Sequence, residues 1–453
     1  MLEQTIARKH FATKHWTLLV GLSAVAVLLG IVIGQERWLY LPAIVMVPVL
    51  YFWPVEFSMG ALAVLVPFEQ IALLSQRALA SFALVLIVGV LSCVGLLGSR
   101  LQSPSAAAKW WTVFMAWTMV STFWAIEPQA SLATLHMVPM FLVFYLVAST
   151  FRISEKEFNF VISASILAGG AAAVLSIYEF YSGMIIASHQ VRATLVAGDV
   201  EGNPNRFAIR LLLPLSFAIA RAVSARHWRS RAVALFFMAI MSWSLLLAMS
   251  RGTLLAAVAV ILIFVVRNKL FRRRAVLVVL TAVVLAAAMP EGLLIRLEQS
   301  KQDRGAGRLD IWTVGLNAFE HRPVIGAGYN NFPKAFTEYA GYAPHFARIA
   351  NDAHNIYLAT AVEGGVVGLL LLLIALKTQF SMASKCQGKV GGTWIMLVAC
   401  EAAFGGVLVA GFFGTIIWDK TFWFALACLA LATTLQSSKD SLEPVFVRGR
   451  ESA

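Results

Sequence analysis

The chain has 453 residues, of which 60% are hydrophobic and only 13% are charged. So apolar a composition excludes a soluble globular protein of this length. The formal net charge is +13, and the excess cations lie in short loops and near both ends of the chain. That distribution is typical of a membrane topology signal, so we expect membrane lipids and no nucleic acid as partners.

Apolar stretches long enough to cross a bilayer recur along the whole chain. We predict spans at 16–34, 38–54, 57–74, 80–98, 108–125, 132–150, 160–182, 207–222, 232–249, 253–266, 275–290, 355–376, 393–414 and 419–436. The first lacks a clear cleavage context, so we expect a spanning helix there and not a removed signal peptide. Prolines and glutamates interrupt 38–74, which could be a short hairpin or one irregular element, leaving about 12 and up to 14 crossings.

Basic residues concentrate in alternate loops between these predicted spans, among them 226–231 and 267–274. The positive-inside rule assigns such loops to the cytoplasm, and an even number of crossings then leaves both termini there. We therefore predict an all-α polytopic membrane protein with a single integral membrane domain over 1–453. A helical segment at 291–354 is expected to be inserted between transmembrane helices on the periplasmic side.

Arg251 lies between two apolar runs, 232–249 and 253–266. A guanidinium at the bilayer centre costs at least about 2.5 kcal/mol on insertion scales, so we expect Ser250, Arg251 and Gly252 to form the tip of a helical hairpin. Because the loops on either side of that hairpin are basic, the tip should face the periplasm. The alternative is a cation at a helix end that only reaches toward water.

The long segment at 291–354 carries a balanced set of charges. Four apolar residues recur in it at helical spacing before Pro323, namely Leu309, Trp312, Leu316 and Phe319. They predict an amphipathic helix from Arg308 to His321 that lies on the membrane face. Gly326, Ala327 and Gly328 predict a tight turn, and a second short helix should run through 332–339.

His354 stands where this segment returns to the membrane. Asn351 or Asp352 could cap the next helix, which would place His354 in its first turn. The unpaired N–H groups of that turn would favour a neutral imidazole that can accept a proton. The alternative is an interfacial histidine that only hydrogen-bonds neighbouring loops. Arg308 could likewise be part of an ordinary surface salt bridge.

Several short motifs resemble the O-antigen ligase and polymerase superfamily. They are 203–208 (NPNRFA), 250–252 (SRG), 308–312 (RLDIW), 322–332 (RPVIGAGYNNF) and 354–371 (HNIYLATAVEGGVVGLLL). Their order, and their placement around one large outward loop, carry the resemblance. It covers about 192–376, while the first third of the chain matches in hydropathy alone.

The resemblance implies a GT-C-like glycosyltransferase of the bacterial inner membrane with its active site at the periplasmic face. Such enzymes transfer a polysaccharide from undecaprenyl diphosphate to an acceptor hydroxyl, with inversion and without a metal or other cofactor. It further implies that Arg251 and Arg308 hold the diphosphate and that His354 activates the acceptor. The expected substrate contacts are Arg192, Arg206, Asn355, Tyr329 and His321.

Three activities compete within this superfamily: ligation of O-antigen to lipid A-core, polymerisation of repeat units, and protein glycosylation. We favour the ligase, because protein-glycosylating relatives tend to extend further beyond the last outward loop. A polymerase is the main alternative. A lipid-linked oligosaccharide flippase is a further one, but its arginines would line a central path, whereas these candidates gather at one face.

Overall fold

The computed structural model describes residues 54–69, 100–183, 192–197, 200–267, 307–342, 352–386 and 392–451, with the single positions 89 and 98. The predicted spans 16–34 and 275–290, nearly all of 38–54 and 80–98, and the segments 291–306 and 343–351 lie outside the described residues. The described part is almost entirely helical.

We number the described helices along the chain. They are α1 (Pro54–Phe68), α2 (Ala106–Val120), α3 (Pro128–Thr134), α4 (Met137–Thr150), α5 (Glu155–Tyr181), α6 (Pro204–Arg210), α7 (Leu212–Ser224), α8 (Trp228–Leu247), α9 (Arg251–Arg267), α10 (Arg308–His321), α11 (Phe332–Tyr339), α12 (Ile356–Lys385), α13 (Gly392–Ala410) and α14 (Lys420–Glu451). Two-residue strands, Val196–Ala197 and Val200–Glu201, pair antiparallel before α6.

Seven helices within the described ranges are long and apolar enough to cross a membrane. They are Pro128–Thr150, Glu155–Tyr181, Pro204–Ser224, Trp228–Leu247, Ile356–Lys385, Gly392–Ala410 and Lys420–Ser438. The chain is therefore a multi-pass membrane protein, as its composition predicts. Helix α9 is shorter, with 17 residues, as expected from its sequence.

The bundle is held together by close helix packing and by aromatic rings. Helix α9 lies along α13, where a Cβ added to Gly406 would come within 2.7 Å of a Val260 methyl carbon. Elsewhere, the rings of Trp111 and Trp423 meet edge to face with centroids 5.4 Å apart, and Phe141 stacks on Trp423 at 5.6 Å. Small residues and interlocked rings give the tight contacts that helix association in a bilayer requires.

Both helices predicted in the long insertion are confirmed, with the predicted bounds. Glycines at 326 and 328 adopt positive φ angles of 75° and 93°, which confirms the tight turn. The expected membrane-facing stripe of α10 is wrong in part. Leu309 and Leu316 are exposed, but the other two members of the stripe are half-buried against α11 and α12.

The residues that α10 buries are Asp310, Ile311, Val314, Gly315 and Ala318. Gly315 allows the close approach, because a Cβ there would come within 2.8 Å of the Leu358 side chain. The glycine thus lets this face of α10 pack closely against the protein. The spacing of the large apolar residues alone did not identify this face.

Helix α12 breaks at Gly365, whose φ of 66° is left-handed. The turn after α10 fills the break: Ala327 donates to the carbonyl of Val362 at 2.7 Å, and Val366 donates to that of Pro323 at 2.8 Å. The Glu363 carboxylate accepts the N–H of Phe332 at 3.1 Å, at the start of α11. These bonds fix the insertion to a spanning helix.

Candidate functional site

The hairpin tip is formed by residues 248–250, and Arg251 is the first residue of α9. Met249 has a left-handed φ of 49°, which reverses the chain. The hydroxyl groups of Ser250 and Thr253 lie 2.9 Å apart, so they hydrogen-bond across the first turn of α9. Arg251, half-exposed, therefore stands at a fixed helix end, close to the position expected from the sequence.

Arg192 is buried, with 9% of its surface exposed, and its guanidinium joins two elements. Its Nε donates to the carbonyl of Ala248 at the hairpin tip, at 2.9 Å, and its Nη2 donates to Asn205 Oδ1 at 2.7 Å. Arg192 was expected from the sequence to contact substrate. In the structure its side chain instead holds the hairpin tip against the start of α6.

Arg206 is exposed in the first turn of α6, next to Asn205, to which Arg192 donates a hydrogen bond. Asn203 caps that helix, because its Oδ1 accepts the N–H groups of Asn205 and Arg206 at 3.0 and 3.2 Å. The motif NPNR is thus a helix start: asparagine is a good N-cap, and Pro204 suits the first helical position. It presents Arg206 at the outer end of the bundle.

Phe413, in the turn between α13 and α14, connects Arg308 with the hairpin. The Arg308 guanidinium carbon lies 5.7 Å from the centroid of the Phe413 ring. A Cβ added to Gly252 would come within 2.7 Å of Phe413 Cβ. Arg308 and the residue next to Arg251 therefore lie against the same side chain.

His354 precedes α12, and the prediction that it lies in the first helical turn is wrong. The cap is Asn355, whose Oδ1 accepts the N–H groups of Tyr357 and Leu358 at 2.9 and 3.1 Å. His354 itself has a left-handed φ of 46° and lies just outside the helix. Asn355, expected to bind substrate, is 8% exposed and uses its amide oxygen for capping. Three candidate caps follow closely in the sequence, which is why spacing did not identify the correct one.

The His354 imidazole lies in a positive environment. Partial burial lowers the pKa of His354 below its ordinary value, and the charges of Arg308 and Arg206 lower it further, while Asp352 acts in the opposite direction. Charges act on a pKa appreciably only at short range, so Arg206, Arg308 and His354 share one neighbourhood. We call Arg206, Arg251, Arg308 and His354 the outer cluster, after the side of the membrane predicted for them from the sequence. A neutral imidazole beside cations can act as a proton acceptor.

The turn at 411–419 supports this cluster, and the sequence analysis missed it. The carbonyl of Gly411 accepts the N–H of Ile356 at 2.8 Å, which anchors the helix after His354. At its other end, Asp419 forms an ion pair with Arg210 at 3.5 Å. Burial would raise the pKa of Asp419, but the charges of Arg210 and Arg206 and bonds from Thr421 outweigh it and lower the pKa. The signal for this turn was an aspartate at a helix start, immediately before Lys420.

Two expected contact residues lie elsewhere. Tyr329 is 2% exposed, packs on Trp418 with ring centroids 5.0 Å apart, and donates from its hydroxyl to the carbonyl of Thr134 at 3.3 Å. His321 is exposed at the end of α10, against the Tyr339 ring. Since α10 has 14 residues, about 20 Å separates it from Arg308 along the helix axis. Tyr329 is thus buried, and His321 lies a full helix length from Arg308.

Within the described ranges, no group of three or more His, Cys, Asp or Glu side chains is placed to hold a metal ion.

Comparisons with known proteins cover the same part of the chain. Residues 236–373 match the family model described as O-antigen ligase. A curated relative, the exopolysaccharide production protein ExoQ of Rhizobium meliloti (strain 1021), is 32% identical over 78 residues, which cover 16% of this chain and 18% of that protein. The family match includes Arg251, Arg308 and His354 of the outer cluster. Residues 236–373 are thus similar to the O-antigen ligase family, and the chain spans less than a fifth of the length of the curated relative.

Proposed function

We propose that this protein is an O-antigen ligase, which transfers a polysaccharide from undecaprenyl diphosphate to a sugar hydroxyl of lipid A-core at the periplasmic face of the inner membrane. The observation that carries the proposal is that Arg308 lies over the Phe413 ring, which Gly252 next to Arg251 also contacts, while the charges of Arg308 and Arg206 act on His354. The family match supports the donor class, because its members are glycosyltransferase-like enzymes.

In the proposed reaction, neutral His354 takes the proton of the acceptor hydroxyl. The acceptor oxygen then forms a bond to the anomeric carbon of the donor sugar, on the face opposite the diphosphate. As that bond forms, the bond between the anomeric carbon and the diphosphate oxygen breaks, and its electron pair leaves with the diphosphate. The configuration at the anomeric carbon is therefore inverted.

Arginines supply the other half of this chemistry. Negative charge grows on the diphosphate as it leaves, and guanidinium groups stabilise such charge through paired hydrogen bonds. The proposed ligands are Arg308, which lies over the Phe413 ring, and Arg251, whose neighbour Gly252 packs on Phe413, with exposed Arg206 as a third. Arg192 acts indirectly in this proposal, because its guanidinium already bonds Ala248 and Asn205.

A second candidate is a polymerase that joins lipid-linked repeat units. The observation that favours it is the similarity to ExoQ, a protein of exopolysaccharide production. The same cluster would serve that reaction, since the donor is equally a lipid-linked diphosphate and only the acceptor differs.

Deletion of the gene, followed by electrophoresis of lipopolysaccharide, separates these activities. If the protein is a ligase, the deletion should leave free lipid A-core together with accumulated lipid-linked polymer. If it is a polymerase, the deletion should leave core that carries one repeat unit. Restoration by the wild-type gene and its failure with a His354→Ala gene would link the defect to the cluster. Unchanged lipopolysaccharide and unchanged lipid-linked intermediates would contradict both activities.

A further inference from the structure

Phe413 lies against the outer cluster, although nothing in its sequence context distinguishes it from the apolar residues of α13. The Arg308 guanidinium carbon is 5.7 Å from its ring centroid, within the range of a cation–π contact. The backbone of Gly252 packs on the same residue. A Cβ added there would come within 2.7 Å of Phe413 Cβ and 2.8 Å of two ring carbons.

A flat ring has a physical effect here that an aliphatic side chain lacks. Its face carries partial negative charge, which attracts a guanidinium and favours one orientation of a long, flexible arginine. The ring is also rigid, so the contact with Gly252 and the contact with Arg308 lie at a fixed separation. Phe413 thus relates the start of α9 to the start of α10.

The backbone that carries Phe413 is itself anchored. Its N–H donates to the carbonyl of Ala410 at 2.9 Å, and the carbonyl of Gly411 accepts the N–H of Ile356 at 2.8 Å. The Tyr357 hydroxyl donates to the carbonyl of Leu408 at 3.2 Å. The same turn therefore holds the helix that follows His354.

We propose that Phe413 is a positioning residue that sets the separation of the Arg251 and Arg308 guanidinium groups. This inference rests on the proposed function, in which both groups hold the donor diphosphate. Two guanidinium groups bind the two phosphates of one diphosphate best when their spacing matches it. Loss of the ring should therefore weaken donor binding and leave acceptor binding unchanged.

The test compares Phe413→Leu with Phe413→Tyr and Phe413→Trp in the purified full-length protein. Binding of undecaprenyl diphosphate is measured directly, and KM is measured separately for donor and acceptor. We expect Phe413→Leu to weaken binding and raise the donor KM by about fivefold to tenfold, the size of a cation–π contact. The Tyr and Trp variants should stay within about twofold of wild type, because they keep the ring.

Phe412→Leu is the matched control. Phe412 is the adjacent residue, is 46% exposed and packs on the Tyr357 ring with centroids 4.4 Å apart. We expect it to leave undecaprenyl diphosphate binding unchanged. An equal loss in Phe412→Leu would overturn the inference, as would wild-type binding by Phe413→Leu or failure of both aromatic variants to restore binding.

A second pair of variants tests the contact between Gly252 and Phe413. Gly252→Ala forces Phe413 to shift, whereas Gly406→Ala places a Cβ 2.7 Å from a Val260 methyl carbon, in a contact that does not involve Phe413. We expect Gly252→Ala alone to raise the donor KM, and an equal rise in both would overturn the inference. Wild-type protein that does not bind undecaprenyl diphosphate would overturn the proposed function itself. Wild-type binding with no effect of either Phe413→Leu or Gly252→Ala would overturn this inference only.

Discussion

Arginines at the two ends of the helix bundle lie in different environments. At the end opposite the outer cluster, Arg100 bonds both carboxylate oxygens of Glu157 at 2.8 and 2.6 Å, and Arg267 bonds both oxygens of Glu401 at 2.8 and 3.1 Å. Each also lies over an aromatic ring. The Arg100 guanidinium carbon is 4.7 Å from the centroid of the Phe151 ring, and that of Arg267 is 5.1 Å from the Trp394 ring. These two guanidinium groups are neutralised in place, as a structural cation near hydrocarbon must be.

Arg308 shares the aromatic contact but has a different electrostatic setting. It shares a neighbourhood with His354, whose pKa is lowered first by burial and then by the charges of Arg308 and Arg206, while Asp352 raises it. Gathering like charges costs free energy that a ligand of opposite charge recovers on binding. Arg100 and Arg267 thus stabilise the bundle, whereas in the proposed function the outer cluster binds an anion.

The largest expected effect is that of His354→Ala, which removes the proposed proton acceptor. We expect transfer to fall by about a thousandfold, within the range of general base catalysis. Because His354 is half-exposed and precedes α12, the variant should fold and insert normally. The measurement is transfer by purified protein with both lipid-linked substrates.

His321→Ala is the control for this variant, since it removes a histidine from the far end of α10. Transfer should stay near the wild-type level in it. Equal losses in the two variants, or near-normal transfer in His354→Ala, would remove His354 from the mechanism.

Arginine-to-lysine variants test the comparison between the two ends directly. Arg251→Lys and Arg308→Lys keep the charge but lose the planar fork that can bond a phosphate twice, so we expect transfer to fall about a hundredfold. Arg267→Lys should instead lower thermal stability and leave kcat/KM for transfer unchanged. Full transfer in both outer variants would mean that charge alone suffices, and a large loss in Arg267→Lys would remove the distinction between the two ends.

The pH dependence of transfer gives a smaller effect with a definite sign. His354 must be neutral to accept a proton, so transfer should fall on the acid side as the pH drops through its lowered pKa. Arg206→Gln removes a positive neighbour, which raises that pKa and moves the acid limb to higher pH. Asp352→Asn removes a negative neighbour and should move the limb to lower pH. The measurement is kcat/KM between about pH 5 and pH 8.

Arg322→Gln serves as the control for pH, since Arg322 lies just after α10 and forms a long ion pair with Glu338 at 3.9 Å. Its acid limb should coincide with that of wild type. Shifts of the same sign in Arg206→Gln and Asp352→Asn would contradict the assignment of the acid limb to His354.

Much of this fold could be predicted from the sequence, because apolar runs and basic loops report directly on burial in a bilayer. The bounds of α10 and α11 were correct for the same kind of reason: apolar spacing, Pro323 and the glycine turn are local signals. The start of α12 was predicted too early, since three good capping residues precede it. Only the tertiary contact between Ile356 and Gly411 distinguishes them.

The site was harder to predict than the fold. Charged residues at the outer face stand out in an apolar sequence, and Arg206, Arg308 and His354 were identified on that basis. Phe413 and Asp419 were missed because an aromatic residue at the end of a span resembles core, and an aspartate before a helix resembles a cap. Conversely, Tyr329 lies in a motif that matches the family but is buried against Trp418. Sequence proximity to a motif does not establish exposure.

The smallest expected effect is that of a chelator, which we predict to leave transfer unchanged. The reason is the sufficiency of the cations: Arg251 and Arg308, with Arg206 nearby, offer two or three positive charges to a diphosphate, about the charge that one divalent ion would supply. Purified enzyme with both lipid-linked substrates is assayed in excess chelator. Transfer that disappears with chelator and returns with magnesium or manganese would contradict the prediction. Asp352, whose charge acts on His354, would then be the first carboxylate to test as a ligand, because magnesium needs few protein carboxylates beside substrate phosphates.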